Sequence, residues 1–202
     1  MRHTRKDVEL LSKEVLYHGR HEFDRYRMRY RTFSGAWSKD VERDILDRGN
    51  TVSVLPYDPI RDTVALIEKF RPGAFAGGDA HPWLWEIVAG VIEEGEQPLE
   101  VAARECEEET GLKALALKPI REFYSSPGAV VEYNRMFVGR VDASAAGGLH
   151  GLEDEGEDIR VFTMTADEAF AAVDQGRFRT TPALIGLAWL KDQRDVLRRE
   201  WR

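Results

Sequence analysis

Between Pro98 and Gly111 the chain reads PLEVAARECEEETG, opening on a proline and closing on a glycine. Proline fits the first turn of a helix, and glycine ends one by taking a left-handed conformation. The stretch is therefore predicted to be helical. At about 100° per residue, Leu99, Ala102, Ala103 and Cys106 share one side, the expected core stripe. Glu105, Glu108 and Glu109 gather on another side, while Glu107 points away from them beside Glu100. Each like-charge pair at this spacing costs roughly a few tenths of a kcal/mol. Such a face is either simply solvated or built to meet a cation. Carboxylates so placed suit a hard divalent ion, which takes oxygen ligands and keeps several waters. Arg104 stands where it can pair with one carboxylate and fix its direction. Gly90 ends a strand, and Glu96 follows it just before the helix.

The remaining chain supplies strands. FDRYRMRYRTF alternates arginines with larger side chains, a period of two that predicts a strand with one basic face. Ser34-Gly35 is a turn, and residues 36–45 are expected to return as a second strand. A two-stranded ribbon is marginal alone and should lean on the main body or on a second subunit. TVSVLPYD and TVALIEKF form strands around the turn DPIRD, and WLWEIVAGVIE is further extended chain in which Trp83 and Trp85 are expected in the core. Strands follow near 115–124, 131–141 and 158–164, with an acidic glycine-rich loop before the last. A capping box at Thr165–Glu168 opens a short helix, and residues 181–199 form a longer amphipathic one.

The formal net charge of -7 argues against a nucleic acid polymer as partner. The single cysteine, Cys106, excludes an internal disulfide and suits a reducing compartment; its position in the core stripe argues against a nucleophile. The first twenty residues are charged throughout, and no apolar run approaches a membrane span, so a cytoplasmic protein with no membrane partner is expected.

The pattern Gly90-x5-Glu96-x7-Arg104-Glu105-Cys106-x-Glu108-Glu109-x-Gly111-Leu112 resembles the Nudix box, with Cys106 where an aliphatic residue is usual. The resemblance implies an α/β/α sandwich with a mixed sheet over residues 50–202, preceded by an antiparallel β extension over 1–49. It implies that Glu105, Glu109 and Glu108 ligate two or three Mg²⁺ ions, or Mn²⁺, together with the carbonyl of Ala89. Gly90, Glu96 and Arg104 would support those ligands.

Features outside the box resemble the ADP-ribose pyrophosphatases of this family. Ser125-Ser126-Pro127-Gly128 with Glu132 resembles the segment that follows their box, the ribbon with Arg43 and Arg48 resembles their dimerising extension, and Arg71 after Phe70 matches their phosphate-binding arginine, which makes Arg43, Arg48, Arg71, Ser126, Gly128 and Glu132 candidate substrate contacts. HGLEDEGEDIRV resembles their catalytic loop. A base that activates water needs a carboxylate not engaged by metal, and a loop can bring one when substrate binds. Glu155 is the first candidate and Glu157 the second, with Glu108 of the box behind them. Among Phe23, Tyr26, Tyr30 and Trp37, the sequence singles out no residue to stack on a nucleobase. The implied function is metal-dependent hydrolysis of ADP-ribose to AMP and ribose 5-phosphate by a homodimer. The alternatives are another nucleoside diphosphate sugar such as GDP-mannose, and a nucleotide-sensing module without turnover. The intact box and the lack of a basic helix-turn-helix segment weigh against the second.

Overall fold

A computed structural model describes residues 3–152, 154 and 156–201. The strands are β1 (Val8–His18), β2 (Glu22–Tyr30), β3 (Val41–Asp47), β4 (Thr51–Asp58), β5 (Thr63–Phe70), β6 (Trp83–Glu86), β7 (Val88–Val91), β8 (Ala116–Tyr124), β9 (Val130–Val131), β10 (Tyr133–Arg140), β11 (Gly148–His150) and β12 (Ile159–Thr165). The helices are α1 (Pro72–Ala76), α2 (Pro98–Thr110), α3 (Ala166–Asp174) and α4 (Thr181–Glu200). No helix among the described residues is long and apolar enough to cross a membrane. The chain divides into two compact units: one runs to Asn50 and adds Tyr124–Tyr133, and the other comprises Thr51–Phe123 and the chain from Asn134 onward.

The first unit is a four-stranded sheet in the order β1-β2-β3-β9 rather than a two-stranded ribbon. The sequence reading missed β1, because charges interrupt VELLSKEVLYH and its residues are exposed along the whole length. The return strand begins at Val41, later than expected, after a turn closed by the Thr32 amide donating to the Ala36 carbonyl at 2.8 Å. The arginines of β2 do not form a free basic face. Arg25 pairs with Asp44 at 2.8 Å, Arg27 with Asp40 at 2.8 Å and Arg29 with Glu9 at 2.7 Å. Opposite charges on neighbouring strands support the sheet and leave little net charge for an anion.

In the second unit the sheet runs β11-β12-β5-β4-β10-β8. It is mixed, since β4 is parallel to β10 and antiparallel to β5. The β4–β5 turn is set by Asp58, whose carboxylate accepts the amides of Ile60 at 2.9 Å and Arg61 at 3.0 Å. Only Tyr57–Val64 and Asp58–Thr63 pair across this hairpin. Beyond it the two strands part: β7 takes Thr51–Val54 of β4, and β6 takes Ile67–Phe70 of β5. The gap so opened admits the Glu86–Val91 segment, which carries Ala89 and Gly90.

Alternation along β4 distributes its side chains to two cores. Val52 and Val54 meet Val101, Ala102 and Cys106 of α2, whereas Leu55 and Tyr57 meet Ala169 and Phe170 of α3 and Leu187 and Leu190 of α4. Helices thus cover both faces of this sheet. Two sequence expectations fail here. Leu99 is exposed, and Val101 takes its place in the stripe, because the helix presents its first turn to solvent. Trp83 is also exposed, stacked obliquely on Phe70 with ring centres 5.2 Å apart, while Trp85 packs against the core as expected.

Candidate active site

Helix α2 sits with Val101, Ala102 and Cys106 buried. Its end is fixed by Gly111, whose φ of 68° is the left-handed value that glycine adopts without strain. Burial pushes the Cys106 thiol up to about 12, which removes it as a nucleophile.

The acidic side of α2 is not a solvated face. Glu109 is only 1% exposed. One of its oxygens accepts the Ala89 amide at 3.0 Å, and the other accepts the Lys69 ammonium. Glu105 lies directly over Gly90: a Cβ on that glycine would fall 2.1 Å from the Glu105 carboxyl carbon. A side chain at Gly90 would therefore have to displace the Glu105 carboxylate from its present place. Arg104 gathers carboxylates instead of pairing with one. Its guanidinium lies 3.0 Å from Glu105, 2.8 Å from Glu108 and 3.6 Å from Glu96. Glu96 is itself fixed by the Glu93 amide at 2.9 Å. These partly exposed ion pairs add little stability, but they set the directions in which the carboxylates point.

Burial pushes the Glu105 carboxyl up to about 7, helped by the charges of Glu109 and Glu108 and opposed by Arg104. Glu109 is also raised, by burial first, with Lys69 and the Ala89 amide opposing. Among the described residues, no three His, Cys, Asp or Glu side chains already converge in metal-holding geometry. Each box carboxylate is instead turned toward a protein donor, Glu109 to Lys69 and Ala89, Glu105 and Glu108 to Arg104. Crowded acids whose charged forms are disfavoured by burial fit an incoming divalent cation, which would restore ionisation.

The sequence reading did not anticipate Lys69. It follows Ala65 and Ile67 on the inward side of β5, and a lysine two places beyond such residues was the available signal. Its ammonium also pairs with Glu157 at 3.1 Å. Glu157 closes the base of the acidic loop: its amide donates to the Leu152 carbonyl at 3.1 Å, and a Cβ on Gly151 would fall 2.8 Å from its own Cβ. At the start of the loop, β11 forms where only loop was expected, and His150 packs over Gly111 at the end of α2. Glu155, the first candidate base, lies outside the described residues. Arg71, two places beyond Lys69, is clamped by the buried Glu86 through contacts of 2.7 and 2.6 Å.

The other candidates belong to the first unit. Arg48 pairs with Glu132 at 3.1 Å, and Glu132 also accepts the Ser125 hydroxyl. Arg43 donates to the Glu42 carbonyl at 2.6 Å. The Ser126 carbonyl accepts the amides of Ala129 and Val130 at 3.2 and 3.0 Å, which makes the Ser-Pro-Gly segment a turn. A side chain at Gly128 would meet nothing, so local sterics do not demand a glycine there. Trp37 is covered by Arg31, whose guanidinium carbon is 4.2 Å from the ring centre.

The raised Glu105 carboxyl has a measurable consequence. Its folded value of about 7 exceeds the ordinary 4.5, so the stability its protonated form contributes is complete below 4.5 and lost as pH rises through 7. In EDTA, Glu105→Gln should be more stable than wild type at pH 8, by on the order of 3 kcal/mol. The gap should close toward pH 4.5. Urea titration of both proteins across this range checks it, and a pH-independent gap would contradict the assignment.

The NUDIX domain family matches residues 47–184. The chain is 44% identical over 197 residues to an ADP-ribose pyrophosphatase of Escherichia coli strain K12, covering 98% of this chain and 94% of that protein. It is 37% identical over 201 residues to an ADP-ribose pyrophosphatase of Haemophilus influenzae, covering 98% and 93%. A GDP-mannose pyrophosphatase of Cronobacter sakazakii is 35% identical over 151 residues, 74% of this chain and 78% of that one. A crystal structure of an ADP compounds hydrolase shares the fold at a TM-score of 0.69 and 19% identity, covering 96% of both chains. With its box complete and its helix seated on the Ala89–Gly90 strand, the chain belongs to the NUDIX family and is a pyrophosphohydrolase.

Proposed function

We propose that this protein hydrolyses the pyrophosphate of ADP-ribose to AMP and ribose 5-phosphate with Mg²⁺. The observation that carries the reading is the seating of α2, which brings Glu105 and Glu109 against Ala89 and Gly90 at the mouth of the parted strands. Glu105, Glu108, Glu109 and the Ala89 carbonyl would hold the ions. Bound there, they would polarise the pyrophosphate and acidify water, and Mn²⁺ could serve in their place. Arg71, held in direction by Glu86, offers its charge to a phosphate oxygen. A loop carboxylate, Glu155 or Glu157, takes the proton of the attacking water. Arg43, Arg48, Ser126, Gly128 and Glu132 are proposed to contact the substrate. ADP-ribose is preferred over GDP-mannose because the ADP-ribose pyrophosphatases match nearly the full chain, including the N-terminal sheet. The single reduced Cys106 fits a cytoplasmic location.

The working unit is proposed to be a homodimer. Val8, Leu10, Val15 and Tyr17 of β1 are all exposed, more apolar surface than one strand normally leaves in water. A second copy of this chain is the proposed cover. Leu10→Glu combined with Val15→Glu should shift the protein to monomer in sedimentation velocity and raise KM. A wild-type protein that sediments as a monomer at micromolar concentration would sink this reading.

Turnover should vanish in EDTA and return with Mg²⁺. Glu109→Gln should lower kcat/KM by about a hundredfold or more. Because Glu109 is buried beside Lys69, the variant should also lose about 1–3 kcal/mol of stability, so circular dichroism must accompany the assay. Near-normal activity would overturn the metal assignment, and a panel of ADP-ribose, GDP-mannose and ADP-glucose ranked by kcat/KM tests the substrate.

Removing the base should cost about 10²–10⁴ in kcat with little change in KM. Glu155→Gln is expected to show this loss and Glu157→Gln a smaller one. The reverse order would exchange their roles. A loss below tenfold in both would move the base to Glu108.

A further inference from the structure

Lys69 is a lysine in an unusual place. Its side chain is 9% exposed, yet it reaches two carboxylates on different parts of the chain, Glu109 of α2 and Glu157 at the base of the acidic loop. Burying an ammonium is costly unless it is paired, and here it is paired twice. Its position is fixed from both sides of the strand ladder. Lys69 lies directly opposite Ile159 of β12, so the backbone two residues beyond Glu157 is hydrogen-bonded into the same sheet as the lysine. Ile67, Ile159 and Val161 form a small apolar cluster beneath. The ammonium therefore has little freedom to leave without giving up both partners.

Both oxygens of Glu109 are committed, one to the Ala89 amide and one to Lys69. A cation approaching Glu109 must compete with a charge the protein already carries there. We propose that Lys69 is a positioning residue with two linked effects: it tethers the base of the acidic loop to α2 through Glu157, and it competes with the divalent ion for Glu109. The second effect rests on the metal reading above, while the first does not. The lysine therefore weakens metal binding in exchange for Glu157, at the base of the loop, held beside Glu109. Engagement of Glu109 by an ion loosens one end of the tether, so metal and loop are coupled through one ammonium.

The experiment compares wild type, Lys69→Met and Lys69→Gln as full-length proteins without substrate. Isothermal titration with MnCl₂ reads metal affinity, and hydrogen–deuterium exchange reads residues 151–158. Lys69→Met removes the charge at similar length, and Lys69→Gln does so while keeping a donor for Glu109, which guards against a misfolded Met variant. Loss of the charge should tighten Mn²⁺ binding by about tenfold. Exchange in the loop should rise by a similar factor in Lys69→Met. A residue that merely stabilised the fold would leave affinity unchanged or weaken it. Unchanged or weaker Mn²⁺ binding in both variants, with wild type binding normally, overturns the competition. Unchanged loop exchange in Lys69→Met overturns the tether. If wild type itself binds no Mn²⁺, the metal reading fails and the competition falls with it, while the exchange result still decides the tether.

Discussion

The site depends on how closely α2 approaches the strand that carries Gly90. Small side chains on both partners permit this: Ala102 and Cys106 on the helix, Ala89 and Gly90 on the strand. The approach buries acidic groups along with apolar ones. Glu109 goes fully into the interior, which is tolerable only because the Ala89 amide and the Lys69 ammonium meet its two oxygens. Glu105 has no such pair of partners. It lies over bare backbone with Arg104 on one side, and its raised carboxyl records the cost. The packing that fixes the helix also leaves acids wanting a cation, so position and chemistry share one cause.

The sheet serves this approach. Had β4 and β5 paired along their whole length, no strand ends would have been available to receive α2. They pair at two positions and part, and the Glu86–Val91 segment enters the gap. The same parting leaves the inward side of β5 facing α2 and the loop. Lys69 and Arg71 emerge there, the first taken by Glu109 and Glu157, the second by Glu86. Two cations and the box carboxylates thus share one end of the sheet, and each cation is held by a buried acid.

Much of this was legible in the chain. The helix from Pro98 to Thr110 has the bounds its proline and glycine imply, and the pattern of fixed glutamates identifies the family. The strands around DPIRD and the capping box at Thr165 were equally plain, because their signals are local. Strand β1 was hidden because an exposed strand with scattered charges lacks a clean alternation. Leu99 misled because helical periodicity gives relative directions but not which arc meets the sheet. The difference is small: a shift of the buried arc exchanges Leu99 for Val101 and draws Glu109 inside.

The sequence by itself determined which residues would form the acidic helix, where it would start and stop, and that three of its carboxylates would share one face. Those facts follow from spacing along one element. Tertiary structure alone decided which acids are buried and which cation answers each. Glu109 and Lys69 are forty residues apart in the chain and Lys69 and Glu157 eighty-eight, distances over which no periodicity carries information. Their meeting depends on the pairing of β12 with β5 and on the packing of α2 against β7. A buried charge must find its partner wherever the fold puts one.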